Sequence, residues 1–222
     1  MSKKYYEAYE ERYKTIHSKG MSWSSDVDTK IVRDTILKYG ITTDSKILEI
    51  GCGEGRDARV LLEKQYDLLA TDISQEAITY CQTHLPKYHD HFQVLDVLSD
   101  TLSKQYDMIY GVAVIHMLVL DEDRARFYQF IHDHLEENGI ALICTMGDGI
   151  VEMQSDISQA FTLQEREHES GKVLVAGTSC RMVSFDTLER ELTKSHLEII
   201  EKGITQALPN FNSLMYVVVR RN

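Results

Sequence analysis

The chain has 222 residues, a net charge of −11 and only two prolines. That length suits one α/β domain with a sizeable core, and the chain contains no low-complexity run or internal repeat that would indicate linkers or an array. The acidic balance disfavours nucleic acid and charged membrane surfaces as partners. No apolar run approaches membrane-spanning length, and the N-terminus lacks an apolar signal core, so we expect a cytoplasmic protein.

The placement of cysteine and histidine predicts no metal site. The four cysteines are far apart in the sequence and form no C-x-x-C pair, so we expect reduced thiols that pack in the interior. His89 and His91 have no partner carboxylate at metal-ligand spacing, and the other histidines are scattered.

The first predicted element is an amphipathic helix over residues 4–17. Its apolar side chains recur at spacings of 3, 4 and 3: Tyr6, Tyr9, Tyr13 and Ile16. A polar break at 22–28 contains the one tryptophan, Trp23. A second helix is predicted at about 27–39, ended by Gly40.

A strand, a glycine loop, a helix and a second strand are predicted in the stretch KILEIGCGEGRDARVLLEKQYDLLATD, residues 46–72. The second strand ends on Asp72. Glycines 51, 53 and 55 permit positive φ and close approach of a ligand to the backbone. The pattern is typical of the first unit of a nucleoside-binding parallel sheet.

The loop differs from the dinucleotide fingerprint G-x-G-x-x-G. It reads G-x-G-x-G, and Arg56 holds the position of the dinucleotide pattern's last glycine. Glu54 inside the loop and Glu49 before it would repel a pyrophosphate, yet they are compatible with a ligand that carries a sulfonium and an ammonium. Asp72 can accept hydrogen bonds from both hydroxyls of a ribose.

With these residues the chain resembles the class I S-adenosylmethionine-dependent methyltransferases. The motif Glu49-x-Gly51-Cys52-Gly53-x-Gly55 and the strand-end Asp72 carry the resemblance. Later matches are Asp96-Val97 after a third strand, residues 106–110 as a fourth strand, and a helix end, Gly139 turn and fifth strand in 135–143. The resemblance implies an α/β fold: a Rossmann-like, seven-stranded, mostly parallel sheet in the order 3-2-1-4-5-7-6, with the last strand antiparallel and helices on both faces.

The remaining predicted elements follow at regular intervals. They are helix 74–84 with Ser74 as N-cap, strands 91–95 and 106–112, helix 121–135 with Asp121 as N-cap, strand 139–145, a hairpin turning at Ser170-Gly171, helix 184–195 with Ser184 as N-cap, and strands 196–206 and 213–220. We expect a single domain, 1–222, with four parts: an N-terminal helical cap (1–40), a cofactor-binding core (41–145), a substrate-side insert (146–183) and a C-terminal helix and strand hairpin (184–222).

The resemblance also implies a cofactor, S-adenosylmethionine, with S-adenosylhomocysteine as product. Its site would lie beyond the carboxyl ends of the strands, at Glu49, Gly51, Cys52, Gly53, Gly55, Arg56, Asp72, Ile73, Asp96, Val97, Gly111 and Val112. In it Glu49 would support the ammonium, Asp72 the ribose and Asp96 the adenine amino group. Arg56 either reaches the ligand carboxylate or is a solvated charge.

His116, just after the fourth strand, is the candidate catalytic residue. It either takes a proton from an acceptor hydroxyl, thiol or amine, or it caps the next segment or packs on the cofactor. Methyl transfer from a sulfonium chiefly needs alignment, so a general base is required only if the acceptor arrives protonated. Arg181 either pairs with an anionic acceptor or is a surface charge.

We expect a small-molecule methyl acceptor and a protein that is a monomer or a homodimer. The acceptor pocket is predicted from residues 1–25, 113–120 and 146–183. Three aromatic residues, Tyr9, Tyr13 and Trp23, either form walls of the pocket, as the resemblance implies, or only pack the N-terminal helix. The fourth strand continues as GVAV, without an N-P-P-Y-like motif, which disfavours amide or exocyclic base nitrogens. Two alternatives stay open: an NAD(P)-binding oxidoreductase on a similar sheet, and a non-catalytic module that binds S-adenosylmethionine.

Overall fold

The computed structural model of the chain describes residues 3–23, 27–168, 170–205 and 214–222. In this part of the chain there are eleven strands: β1 (Lys46–Ile50), β2 (Asp67–Asp72), β3 (Phe92–Val94), β4 (Tyr106–Val112), β5 (Leu135–Met146), β6 (Met153–Gln154), β7 (Leu163–His168), β8 (Gly171–Ala176), β9 (Arg181–Met182), β10 (Leu197–Thr205) and β11 (Leu214–Arg221). The described α-helices are α1 (Ala8–His17), α2 (Lys30–Lys38), α3 (Arg56–Glu63), α4 (Gln75–His84), α5 (Asp121–His134) and α6 (Phe185–Lys194).

A seven-stranded sheet forms the centre of the fold, in the order β10-β11-β5-β4-β1-β2-β3. Strands β1 to β5 run parallel, whereas β11 is antiparallel to both of its neighbours, β5 and β10. Counted within this sheet, the order is 3-2-1-4-5-7-6 and the last strand is antiparallel, so the predicted fold is confirmed. The strand order reverses between β1 and β4, and a ligand site is expected above this point.

Helices cover both faces of the sheet because each buries one apolar stripe against it. On one face α5 and α6 contribute Phe127, Ile131, Leu188 and Leu192. On the other face α2, α3 and α4 contribute Val32, Ile36, Leu61, Leu62 and Ile78. None of the helices in the described ranges has the length and apolar character needed to cross a membrane.

Two of the three predicted helix N-caps, Ser74 and Ser184, are confirmed. The Ser74 hydroxyl accepts from the Ala77 N–H, and the Ser184 hydroxyl accepts from the Thr187 N–H. Asp121 is a correction, because the N-cap of α5 is Leu120 and Asp121 is the first helical residue. At that position the Asp121 carboxylate accepts a hydrogen bond from Arg181 Nη1.

The start of β5 also corrects the prediction. The strand begins at Leu135, directly after α5, whereas a turn at Gly139 was expected. Tyr106 pairs with Leu135 while Met108 pairs with Ile140, so the residues between them bulge out of the ladder. A Cβ on Gly139 would lie 2.9 Å from the Tyr106 carbonyl oxygen, which explains the glycine there.

The insert between β5 and α6 forms two small sheets. β7 and β8 make the predicted hairpin, with His168 paired to Gly171 at its turn; residue 169 lies outside the described residues. β6 pairs with β9, which the sequence did not predict. The predicted ends of the last two strands, at 206 and 213, also lie outside the described residues.

Candidate functional site

The loop after β1 brings bare backbone to the carboxyl edge of the sheet. Gly51, Gly53 and Gly55 have φ of +73°, +54° and +77°, a region that side chains disfavour. A Cβ on Gly51 would lie 2.4 Å from Val114 Cγ2, and one on Gly53 would lie 2.7 Å from the Tyr13 hydroxyl. Side-chain-free positions are therefore required by both conformation and space.

Asp72 is tied directly to this loop. Its Oδ2 accepts from the Gly53 N–H at 2.9 Å, and its Oδ1 accepts from the Ser74 N–H at 2.8 Å. Burial raises the pKa of Asp72, while these two backbone hydrogen bonds oppose the shift. Ile73, the next residue, is half-buried at the rim. The carboxylate predicted to bind the ribose thus lies beside the glycine loop predicted to bind the cofactor.

Glu49 and Arg56 hold the most informative polar atoms of the site. Glu49 is only 4% exposed, and its Oε2 has no hydrogen-bond partner among the described residues. Burial, reinforced by the nearby Asp57 carboxylate, raises the pKa of Glu49 to about 8. The Arg56 Nη2 donates to Thr29 and Asp57, whereas its buried Nε has no partner in the described part of the chain. One buried acceptor and one buried donor are therefore unused.

The Thr29–Asp57 contact was missed at the sequence level. Asp57 accepts from the Thr29 N–H at 2.6 Å and from its hydroxyl at 2.7 Å. This pair fixes the first turn of α3 to the start of α2 and orients Arg56. Asp57 is visible in the sequence as the acid that ends GEGRD. Nothing in the sequence near it indicates that its partner is Thr29, 28 residues away.

The other predicted cofactor residues lie along the same edge. Asp96 follows β3, and the Leu95 N–H donates to the Asp72 carbonyl, which joins the two strand ends. Asp96 Oδ2 accepts from Lys4 Nζ at 2.7 Å, and Val97 beside it is half-buried.

Gly111 and Val112 end β4 next to β1, and a Cβ on Gly111 would lie 3.4 Å from the Ile50 carbonyl oxygen. Cys52 is buried under the loop. The neighbouring Cys81 thiol and burial hold the pKa of Cys52 well above its usual range, so the thiol stays neutral.

The N-terminal segment, residues 3–23, covers this edge. Glu10 Oε2 accepts from the Ser74 hydroxyl at 2.6 Å and from the Glu76 N–H at 3.0 Å. The two ring nitrogens of His17 lie 2.9 Å from carboxylate oxygens of Glu54 and Glu76.

Two aromatic side chains of this segment complete the cover. Tyr13 is buried against Gly53, and the backbone N–H of Trp23 donates to the Glu54 carboxylate. The sequence left two roles open for these two residues and Tyr9, pocket walls or packing; it did not predict Arg12, which is also buried in this segment.

His116 lies in a 3₁₀ turn, Ile115–Met117, and is 4% exposed. Burial and the Arg124 charge lower the pKa of His116 to about 4, so the imidazole is neutral at pH 7 and a weak base. Its catalytic role stays a prediction.

Arg181 is mostly buried and pairs with Asp121 at 2.6 Å, so it is neither the solvated charge nor the free anion partner that the sequence suggested. No group of three or more His, Cys, Asp or Glu in the described ranges can hold a metal ion.

Known proteins share this architecture. A family model described as a methyltransferase domain matches residues 48–141, which contain the glycine loop and the acids after β2 and β3. Over these residues the chain is similar to methyltransferase domains. Some solved structures of similar fold contain S-adenosylmethionine or S-adenosylhomocysteine.

Solved methyltransferase structures resemble this chain in fold. The CcbJ methyltransferase from Streptomyces caelestis has a TM-score of 0.72 at 12% identity, covering 96% of this chain and 98% of that one. An S-adenosylmethionine-dependent methyltransferase from Clostridium acetobutylicum has a TM-score of 0.66 at 16% identity, covering 89% and 93%. The glycopeptide N-methyltransferase MtfA with S-adenosylmethionine has a TM-score of 0.63 at 16% identity, covering 86% and 93%.

Among curated proteins, the chain is similar to the juvenile hormone acid O-methyltransferase of Bombyx mori. The two are 26% identical over 109 residues, which is 46% of this chain and 38% of that enzyme. The match therefore spans well under half of the curated relative.

Proposed function

We propose that the chain transfers the methyl group of S-adenosylmethionine to a small-molecule acceptor at the carboxyl edge of the sheet. The observation that carries the proposal is the unused pair of buried polar atoms, Glu49 Oε2 and Arg56 Nε, beside a loop without side chains. An ammonium can donate to the first, and a carboxylate can accept from the second. The methionine part of the cofactor carries both groups, so these residues fit it.

The other roles follow from position. Each oxygen of Asp72 accepts one backbone hydrogen bond and keeps a lone pair for a ribose hydroxyl. Asp96 would accept from the adenine amino group once Lys4 shares or releases it. The remaining residues of the predicted site would line the cofactor through van der Waals contacts: Cys52, Ile73, Val97, Gly111 and Val112.

The chemistry that bound S-adenosylmethionine supplies is a methyl group already activated by a positive sulfur. The protein's residues add alignment, which can lower the activation barrier by roughly 7–11 kcal/mol. Residues 3–23 would exclude water from the edge, and Val114, against Gly51, would limit the approach to the methyl group. His116 is neutral and would assist only an acceptor that arrives protonated.

The acceptor is proposed to bind between the N-terminal segment, residues 113–120 and the insert. The N-terminal segment places Tyr13 and Trp23 at the edge. The curated relative is by name an acid O-methyltransferase and MtfA is by name a glycopeptide N-methyltransferase, which supports acceptors of small or modest size. A single-domain, cytoplasmic monomer or homodimer with the four parts given above is the organisation we propose.

Calorimetry on an Asp72→Ala variant tests the proposal. Each hydrogen bond to a charged group contributes roughly 1.5–3 kcal/mol, so the affinity for S-adenosylmethionine should fall at least about tenfold. Asp67, exposed at the other end of the same strand, gives the matched control Asp67→Ala, which should bind normally. Incubation of labelled cofactor with a metabolite extract should yield a methylated small molecule.

Three results would contradict the proposed function. One is an affinity that Asp72→Ala leaves unchanged. Another is binding of NAD or NADP in preference to S-adenosylmethionine, which would favour an oxidoreductase. The third is tight cofactor binding with no labelled product from any extract, which would favour a non-catalytic binding module.

A further inference from the structure

Arg12, in the middle of α1, is a buried cation without a counter-charge. It is 4% exposed, and no carboxylate in the described part of the chain forms an ion pair with it. Its guanidinium donates only to neutral oxygens: the Ala176 carbonyl at 3.0 Å and 3.3 Å and the Thr178 hydroxyl at 3.3 Å.

Arg124 provides the contrast within the same protein. It is 1% exposed, and its Nη2 lies 2.6 Å from a Glu191 oxygen. Burial of a charged group costs several kcal/mol unless a partner of opposite charge is present. The fold supplies that partner for Arg124, whereas none of the described residues supplies one for Arg12, at the place where α1 meets the insert.

A second guanidinium increases the local positive charge. Burial lowers the pKa of Arg12, and the nearby charge of Arg166 on β7 lowers it further. Arg166 is exposed and donates to Gln164 Oε1 at 2.7 Å; among the described residues it too has no carboxylate in an ion pair. Arg166 pairs across the hairpin with Val173, which belongs to the small apolar cluster that Trp23 packs against. Two like charges therefore lie on the same side of the hairpin in a chain whose net charge is −11. An anion between them would relieve the repulsion.

The surroundings of Arg12 are suited to a ligand with an apolar or aromatic body. The guanidinium carbon lies 4.7 Å from the Tyr9 ring centroid and 5.2 Å from that of Trp23, and both rings are half-buried. Trp23 also packs on the small apolar cluster around Ile16. Ser179, next to Thr178, is buried, and its hydroxyl has no partner among the described residues.

We propose that Arg12, assisted by Arg166, binds a carboxylate on the methyl acceptor, whose apolar or aromatic part rests on Tyr9 and Trp23. The planar guanidinium fork matches a carboxylate in geometry and charge. A multiply charged phosphate is disfavoured by the overall acidity of the chain. The inference rests on the proposed function, because it assigns the substrate class of the same site.

Trp23 is the only tryptophan of the chain, so its fluorescence reports on this site directly. We would titrate the protein, saturated with S-adenosylhomocysteine, with benzoate, 3-phenylpropanoate and dodecanoate. 3-Phenylpropanamide is the neutral isostere, and inorganic phosphate is the competing anion. At least one carboxylate should give a saturable change, with the amide and phosphate at least about tenfold weaker, as expected for loss of a charge-assisted hydrogen bond.

Three substitutions sharpen the test. Arg12→Met should weaken the carboxylate at least about tenfold, Arg12→Lys should be intermediate, and Arg166→Met should weaken it a few-fold because that side chain is exposed and screened. Arg126, exposed on α5, gives the matched control Arg126→Met, which should bind like the wild type. Affinity for S-adenosylhomocysteine should stay unchanged in Arg166→Met and Arg12→Lys.

The inference is overturned if no carboxylate changes the Trp23 emission, if the amide binds as well as the acid, or if phosphate binds more tightly. It is also overturned if Arg12 substitutions weaken S-adenosylhomocysteine and carboxylate equally, since Arg12 would then only hold α1 in place. Failure of the wild type to bind S-adenosylhomocysteine at all would contradict the proposed function instead, so the two failures are distinguishable.

Discussion

The carboxyl edge of the sheet and the N-terminal segment that covers it differ in how their residues are positioned. At the edge, the side chains follow strand ends, and backbone amides hold them, as the Gly53 and Ser74 N–H groups hold Asp72. In the N-terminal segment, side chains make the contacts over long separations, as between Lys4 and Asp96, 92 residues apart.

This difference has a consequence for binding. The edge is preorganised, because its geometry depends on positive φ angles and on strand pairing. Some contacts of the N-terminal segment can be replaced by contacts to a ligand. The Lys4–Asp96 ion pair, for example, is partly exposed and contributes little free energy. A cofactor can therefore take over contacts that the N-terminal segment makes, while the edge stays as it is.

The largest expected effect is at Gly51. Gly51→Ala would place a methyl group against Val114 at a φ of +73°. The conformational penalty of about 1–2 kcal/mol and overpacking of about 1–3 kcal/mol lower stability and force the loop backbone to move. The lost close approach to the backbone should lower the affinity for S-adenosylmethionine about a hundredfold. Gly40→Ala is the control, because Gly40 has a φ of +66° but open space around its Cβ position.

Calorimetry and thermal unfolding would measure both glycine variants. Gly40→Ala should lose stability alone, by about 1 kcal/mol, and should keep its affinity. Equal affinity losses in the two variants would mean that close backbone approach at Gly51 is not part of the site.

A smaller effect is expected from the titration of Glu49. Its pKa of about 8 means that the carboxyl is mostly neutral at pH 7, whereas an ammonium partner requires the charged form. Cofactor binding should therefore release a proton, and affinity should rise with pH between 6 and 7.5, by at most about tenfold per pH unit. In Glu49→Gln this pH dependence should disappear and binding should be weaker.

Calorimetry in two buffers of different ionisation enthalpy would measure the released proton. The raised pKa also predicts that the free energy of unfolding of the unliganded protein falls as pH rises from 4.5 to 8, because only the unfolded chain ionises this group. A wild-type affinity that is flat over pH 6–7.5 would argue against Glu49 as the ammonium partner.

The smallest effect is predicted for the cover. Lys4→Met removes a partly exposed ion pair worth at most about 1 kcal/mol, so stability should change little. The substitution frees Asp96, and cofactor affinity should rise about two- to fivefold. Lys3→Met is the control, because Lys3 pairs with Glu11 inside the N-terminal segment. Weaker binding by Lys4→Met would place Lys4 among the groups that contact the ligand.

Local chemistry accounts for what was predictable. Ser74 and Ser184 cap helices because their hydroxyls satisfy amides three residues away, and the Ser170-Gly171 hairpin follows from alternation around a turn. Errors of prediction concentrate where strands meet: the bulge at the start of β5 depends on the pairing of Tyr106 and Met108 with a distant segment.

By itself the sequence determined the strands, the glycine loop and the acids at successive strand ends, because hydrophobic periodicity and glycine spacing act over a few residues. The order of the strands in the sheet came from the family resemblance. Only the tertiary structure decided that Arg12 is buried with no ion pair among the described residues and that Arg181 pairs with Asp121. Those outcomes depend on which distant side chains the packed helices bring together, and a local pattern carries no record of such pairs.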